Sequence, residues 1–451
     1  MSNLNASNPI VHRLSLMRDK WMEGVSPDTK AVIWHVEPDE ARMVQALVAV
    51  EASAQGELPW YFLDFAVPFH SYAQYGPALV EQWLNRWENE EARKTVAESD
   101  ALPQWDGEPF QQRVNVDGPA GFLDCMSSFA GRIQGRTGRL VLYLMPPHSD
   151  DRKGLARWMQ AAVDLLPDNL CILLYDVAGN PLFEEIRKKK GVITLQARLD
   201  MQGAMREVAE AGDPNDPGVR FNLAVLNATE ALGKGDEAGV HHWGKAAVEA
   251  GKASKSSALE SAGWLVYGTS MYQLRKFEAS LEMYTSAQEI AETGKNAGDA
   301  ACSAILLQAL SMKAAAYLLL KKHADAAKHY ERMAVEAGHQ GNPMMECEGY
   351  RLLAGMPPKS FDNNERIRFL QKAFEAGLKL PPETQRFSSL HAVCIHLLDL
   401  AAKMKHHELQ AMVDSHARSL WGVQWRDLEN DKGTVPMISE TPYPIPHAAS
   451  V

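Results

Sequence analysis

The residues of this chain best suited to chemistry are carboxylates that end apolar runs. Cys171-Ile-Leu-Leu-Tyr-Asp176 is a strand-like run closed by an aspartate, the arrangement that holds magnesium against a nucleotide's phosphates. Asp64 ends a second run, Tyr61-Phe-Leu-Asp-Phe65, and would share a sheet edge with Asp176 if the two strands are parallel. Carboxylates paired in that way bind magnesium, although strand-end carboxylates also cap neighbouring helices. A third group, Pro146-Pro-His-Ser-Asp-Asp151, follows the carboxyl end of another strand, where α/β sheets place their ligands. His148, Asp150 and Asp151 are its candidates, but Ser149-Asp150 also reads as a helix N-cap, and the cap is the preferred reading.

The partners these groups need are missing from the sequence. No G-x-x-x-x-G-K-[ST] occurs, and no G-x-G-x-x-G follows a strand, so no glycine-rich backbone cradles a phosphate and no lysine reaches it. Gly135-Arg-Thr-Gly-Arg139 is a Gly/Arg loop that precedes a strand rather than opening a helix. There is no G-x-S-x-G and no H-E-x-x-H. The pairs His241-His242 and His406-His407 are adjacent, so their side chains diverge by about 100° on a helix and read as solvated. Five cysteines are scattered without a C-x-x-C, which points to free thiols rather than zinc or disulfides. The expectation is therefore a protein that is not an enzyme and holds no cofactor or metal, with Asp64, His148 and Asp176 left as a vestigial ligand site.

The elements that position these groups alternate in the first half. Ala31–Val36, Trp60–Phe65, Arg139–Met145, Leu170–Asp176 and Gly191–Leu195 read as strands. Helices are expected over Asp39–Ala54, Pro77–Val96 and Gly121–Gln134 and near 152–165 and 180–189, and residues 97–118 read as a polar loop or insertion. Continuous apolar strands between helices predict a mostly parallel sheet covered on both faces. This half resembles a degenerate P-loop domain kept as scaffold, in which Cys171–Asp176 looks like the Walker B strand. The boundary falls at Ala211-Gly-Asp-Pro-Asn-Asp-Pro-Gly218, giving an α/β domain over 1–212.

Beyond it the strand-like runs stop, and residues 219–418 carry apolar residues at helical spacing. A short phrase recurs there. Ala247-Val-Glu-Ala-Gly251 returns as Ala334-Val-Glu-Ala-Gly338 and Ala373-Phe-Glu-Ala-Gly377, with a looser copy at Ala287-Gln-Glu-Ile-Ala291, so the starts lie 40, 47 and 39 residues apart. A period in this range is the signature of stacked repeats. Trp264, Tyr267, Gly268 and Met271, followed by Ser280, Tyr284 and Ala287, resemble the tetratricopeptide pattern. Leu310, Ala314 and Tyr317, followed by Ala326, Tyr330 and Met333, repeat it. The family period is about 34 residues, so the longer spacing implies lengthened helices. An ordinary helical bundle would share the composition; four copies in series favour the repeat. The resemblance implies a groove that binds a peptide or helix, with Asn222, Asn227, Tyr267, Gln308 and Lys313 as candidate partner-binding positions.

The fold class expected is thus an α/β domain followed by an all-α, tetratricopeptide-like helical solenoid, with residues 419–451 forming an extended or disordered tail rich in proline. The net charge of -11 and pI near 5.8 argue against nucleic acid as main partner. The polar start Met1-Ser-Asn-Leu-Asn carries no signal-like core and no membrane span is expected, so a cytoplasmic location follows. The layout resembles bacterial signalling and secretion-associated accessory proteins. The function expected is an adaptor or chaperone that holds a partner protein, a toxin or secreted effector being one such client. The alternative is a nucleotide- or metal-binding switch whose repeats sense a partner.

Overall fold

The structure, a computed structural model, describes residues 8–53, 55–89, 105–111, 118–133, 139–357, 359–386, 388–422 and 425–426. They form two compact units that divide between Ala204 and Met205.

The first unit is organised by five parallel strands. β1 (Ala31–Val36), β2 (Tyr61–Asp64), β3 (Leu140–Tyr143), β4 (Leu170–Val177) and β5 (Val192–Gln196) lie in the order β2-β3-β4-β1-β5. β3 and β4 are buried almost throughout because they are central and covered on both faces, which is why they read as unbroken apolar runs. The helices are α1 (Pro9–Gly24), α2 (Ala41–Glu51), α3 (Tyr72–Glu88), α4 (Glu108–Gln111), α5 (Ala120–Ala130), α6 (Arg152–Asp164) and α7 (Glu184–Arg187). Right-handed crossovers put α2 on one face of the sheet and the helices that follow β2, β3 and β4 on the other. Accordingly α1 packs on α2 and β5, and α3 packs on α5 and α6.

Four details differ from the sequence reading. α1 was not anticipated; Asn8 caps it, and Met17 and Trp21 are buried one turn apart. α3 starts at Tyr72 under a Ser71 cap and carries Pro77 inside it, rather than starting at Pro77. The expected polar insertion contributes Trp105 and Phe110 to the core, where they stack on each other beside Trp83, Trp87 and Phe129. The helix expected near 180–189 is the single turn α7. Residues 90–96 and 134–138 lie outside the described residues; the Arg139 guanidinium donates to the Pro27, Asp168 and Leu170 carbonyls and ties the amino ends of the strands together.

The second unit is an array of antiparallel helix pairs. α8 (Met201–Glu210), within which the units divide, precedes the pairs α9 (Pro217–Gly233) with α10 (Glu237–Ser254), α11 (Ser257–Gln273) with α12 (Phe277–Asn296), and α13 (Ala300–Leu319) with α14 (His323–His339). α15 (Pro343–Ala354) and α16 (Asn363–Leu378) follow; then come the short α17 (Pro382–Gln385) and a last pair, α18 (Leu390–Lys403) and α19 (His407–Trp421). Ala211–Gly218, the expected linker, is the turn between α8 and α9. From α9 to α16 each helix packs on the next, α16 then packs on α18 and α18 on α19, and first helices touch one another, α9 on α11 and α11 on α13. Trp425, fully buried, donates its indole N–H to Asp414 and closes the last pair. The remainder of the expected tail lies outside the described residues.

The recurring phrase has one structural meaning. Every copy sits on the second helix of a pair, and its two alanines are fully buried: Ala247 and Ala250, Ala287 and Ala291, Ala334 and Ala337, Ala373 and Ala376. They form the seam against the first helix of the next pair. The close approach at the first seam is backbone on backbone. A Cβ at Gly251 would lie 2.6 Å from Glu260 Cα, and one at Gly263 would lie 3.0 Å from Val248 Cα.

The turns inside the pairs are also shared. In four pairs the residue after the turn donates its N–H to a carbonyl five residues back, in a Schellman arrangement: Asp236 to Ala231, Lys276 to Met271, Lys322 to Tyr317 and His406 to Ala401. The preceding residue is left-handed, at Gly235 (φ 68°), Arg275 (φ 61°), Lys321 (φ 59°) and Lys405 (φ 61°). α13 is by length and composition apolar enough to cross a membrane, yet it is packed between α12 and α14, which accounts for its apolar character.

Candidate functional site

In open parallel sheets ligands bind where the strand order reverses, here the carboxyl ends of β1 and β4, between which the chain departs to opposite faces. Register places His35 beside Asp176. After β1 the chain turns through 37–40 into α2 without a glycine. The Glu40 carboxylate, 4% exposed, fills this corner: one oxygen accepts from Glu37 N–H at 2.9 Å and the other from Leu199 N–H at 2.5 Å. The acceptor capacity of Asp176 is likewise taken by the chain itself. Its carboxylate accepts from Leu182 N–H at 2.7 Å, from Phe183 N–H at 3.2 Å and from Arg187 Nη2 at 2.8 Å, and the residue is 2% exposed. Arg187 Nη2 also lies 3.2 Å from His35 Nδ1. The expected ligand role of Asp176 is thereby corrected: it fastens the loop after β4 and the turn α7.

Asp64 does not join it. Asp64 pairs in register with Tyr143, and Tyr143 with Leu173, so Asp176 lies two strands across and three residues along, roughly 14 Å away. The Asp64 carboxylate is exposed and accepts from Arg86 at 3.1 Å. The expected magnesium pair is therefore not formed.

The carboxyl ends of β2 and β3 hold a different constellation. The chain after β2 and the chain after β3 run parallel and meet at Phe69 and Ser149, with Phe69 N–H donating to His148 O and Asp150 N–H to Phe69 O. This brings His70 to Asp150. His70 Nδ1 lies 2.6 Å from Asp150 Oδ2, and His148 Nε2 lies 2.5 Å from Asp150 Oδ1. Burial alone would raise the Asp150 carboxyl, but hydrogen bonds from His148 and His70 outweigh it and hold the group well below the usual carboxylate range. Asp151, not Ser149-Asp150, caps α6, accepting from Gly154 N–H at 2.7 Å. Sequence reasoning missed His70 because only the fold brings it within reach. Among the described residues no three His, Cys, Asp or Glu side chains converge as a metal set. All five cysteines are free and buried.

In the array the five expected groove positions separate. Asn222 is exposed on α9, and Asn227 is half-buried on another side of that helix. Gln308 is half-buried in the middle of the solvent-facing stripe of α13. Tyr267 and Lys313 are interior and do not line a groove. Tyr267 is 3% exposed, its ring packs over Gly244, and its hydroxyl lies 2.5 Å from His241 Nδ1, so His241 is engaged rather than simply solvated. Lys313, 5% exposed, donates to Gln288 Oε1 at 2.9 Å. Gln288 donates in turn to Glu292, which also accepts from Arg332, so a chain of hydrogen bonds joins α13, α12 and α14. Burial and neighbouring Arg332 lower the Lys313 ammonium. His329, stacked on Tyr317, is pushed down to about 4 by burial and by Lys313, Arg332 and Lys328.

Neither a protein-family model nor a curated protein matches the sequence. Among solved structures, the chain is similar over 56% of its length to aspartyl phosphate phosphatase F from Bacillus subtilis (TM-score 0.36, 15% identity), and that match spans only 56% of the phosphatase chain. It is similar over 56% of its length to BtubC from P. vanneervenii (TM-score 0.37, 13% identity, 94% of that chain). Over 93% of its length it is similar to a signal transduction ATPase with numerous domains and a tetratricopeptide repeat sensor from Pyrococcus horikoshii (TM-score 0.26, 9% identity, 77% of that chain).

Proposed function

We propose that this chain is a non-catalytic adaptor or chaperone that holds a partner protein through its helical array, with the α/β unit serving as scaffold. The observation that carries this reading is the occupied corner between β1 and β4. Phosphoryl chemistry needs free backbone N–H groups and a carboxylate open to a metal. There the Glu40 carboxylate accepts from the turn's Glu37 N–H and from Leu199 N–H, and Asp176 is spent on Leu182, Phe183 and Arg187. Helix pairs stacked on small-residue seams supply the extended surface that protein partners use. We assign the chain to the cytoplasm because five free, buried thiols suit a reducing compartment. A toxin or secreted effector is one client of this kind.

Thermal unfolding with millimolar ATP, GTP or ADP and magnesium tests the scaffold half of the proposal. The melting temperature should not move; a rise of more than about 2 °C overturns it, since any ligand of the folded state stabilises by mass action. Purification from the native source should bring a stoichiometric protein partner, and its absence argues against the adaptor half.

A further inference from the structure

Six residues other than glycine have a positive φ among the described residues. Four of them, Lys255, Arg275, Lys321 and Lys405, follow the ends of helices, where a left-handed residue closes the last turn. The other two, Arg198 (φ 45°) and Asp200 (φ 48°), flank Leu199 between β5 and α8, and no helix ends there. A residue with a Cβ keeps this conformation only where its surroundings impose it, and such positions cluster in segments that switch. Here three charged side chains do the imposing. Lys20 Nζ donates to Ala197 O and Arg13 Nε donates to Leu199 O at 3.0 Å, both from α1. Glu40 Oε1 accepts from Leu199 N–H at 2.5 Å, and Ala197 N–H donates to His35 O at 2.9 Å. Ala197 and Leu199 are buried, whereas Arg198 and Asp200 are exposed. Residues whose peptide groups are fastened thus alternate with residues that carry the strain.

Glu40 joins this strap to the corner after β1. Its other oxygen accepts from Glu37 N–H, so a single buried carboxylate fastens both. Without it the Leu199 N–H is buried without that acceptor unless the strap opens, and opening also relieves Arg198 and Asp200. The strap is the route by which the chain leaves the first unit. Asp200 caps α8, accepting from Gly203 N–H at 3.0 Å, and Met201 packs on the core of the α/β unit. The second unit begins at Met205, four residues further on.

We propose that residues 197–200 are a strained latch fastened by Glu40, Arg13 and Lys20, and that its opening frees the first turn of α8 and turns residues 197–204 into a mobile connection. The latch goes beyond the adaptor reading and stands without it. The test follows hydrogen exchange in the full chain by mass spectrometry resolved at the Leu199 amide, expressed as protection relative to the intrinsic rate. Arg198→Gly should raise that protection by about threefold or more, because glycine adopts φ 45° without strain. Arg198→Ala keeps a Cβ and should stay within about twofold of wild type. An unstrained strap would respond to glycine with the opposite sign, since added backbone freedom favours opening. Glu40→Ala should lower protection over residues 197–204 by about tenfold or more and speed tryptic cleavage after Arg198 by a similar factor, while β3 and β4 keep theirs. Glu40→Gln, expected to act in the same direction, takes its place if the alanine variant does not fold. Protection at Leu199 that is lowered or unchanged in Arg198→Gly overturns the strain. Glu40 variants that leave residues 197–204 unchanged, or that lose protection equally in β3 and β4, overturn a latch that opens by itself.

Discussion

Two glycines occupying the same place in the recurring phrase should respond to alanine with opposite signs. Both lie inside second helices, Gly251 in α10 and Gly338 in α14, so a methyl brings the usual helix gain of up to about 1 kcal/mol, smaller at Gly338 near a helix end. The surroundings differ. At Gly251 the new Cβ meets backbone, Glu260 Cα at 2.6 Å and Glu260 N at 2.8 Å. Carbon contacts settle near 3.5–4.0 Å, so α11 must retreat by about 1 Å, opening the neighbouring contact of Gly263 on Val248. Overpacking of this kind costs about 1–3 kcal/mol, which exceeds the propensity gain and leaves a net loss of about 1–2 kcal/mol. At Gly338 the nearest atom is Glu346 Oε1 at 3.2 Å, the end of a flexible side chain that pairs outward with Lys379. It can rotate away, so Gly338→Ala should be neutral or stabilise by about 0.5 kcal/mol. Urea unfolding followed by far-ultraviolet circular dichroism, with midpoints compared at unchanged slope, measures both. A Gly251→Ala variant as stable as wild type, or a Gly338→Ala variant that loses more than about 1 kcal/mol, would refute the assignment of the phrase to a backbone seam.

Further outcomes follow from individual contacts. Asp176→Ala should cost about 3–5 kcal/mol, because it strands two backbone N–H groups and the Arg187 guanidinium; Asp176→Asn should recover part of that in the same urea titration. Cys171, Cys347 and Cys394 are pushed up to about 12 by burial and Cys302 to about 11, so Ellman's reagent at pH 8 should find no fast-reacting thiol in the native chain and five in guanidinium. His329 is neutral when folded down to about pH 4 but protonates near 6.5 when unfolded, so its contribution is present above pH 6.5 and is lost as pH falls toward 4. Allowing for partial exposure, that loss is about 1–2 kcal/mol, and a His329→Gln variant should show a correspondingly shallower fall between pH 6.5 and 4.

What the sequence disclosed follows from how local each determinant is. The strands were readable because burial on both faces demands unbroken apolar runs, and Leu170–Val177 needs no distant information to be one. The seam was readable because Ala and Gly at fixed offsets have no substitute where backbones touch. α1 escaped because its buried stripe includes Arg13, a residue type that is mostly exposed, whose guanidinium donates to Leu199 O. Lys313 was misplaced for the same reason: residue type suggested surface, while Ala309 and Ala316 beside it, both fully buried, put it on the inner face. The bond of Asp150 to His70 depends on where two loops meet across the sheet, which no spacing within either loop encodes, whereas the Asp151 cap on Gly154 is local and stands one residue beyond the expected one. The intra-pair turns were overlooked because three of the four left-handed residues are Arg or Lys rather than glycine.

Those turns have an electrical consequence. Arg275-Lys276, Lys321-Lys322 and Lys405-His406 stand at the carboxyl ends of first helices, where the dipole favours cations, and stacking brings successive turns to one side of the array. A chain with a net charge of -11 therefore does not present a uniformly acidic array. Cations gather at its intra-pair turns, where they face the acidic first turns of the second helices, Lys276 pairing with Glu237 at 3.1 Å.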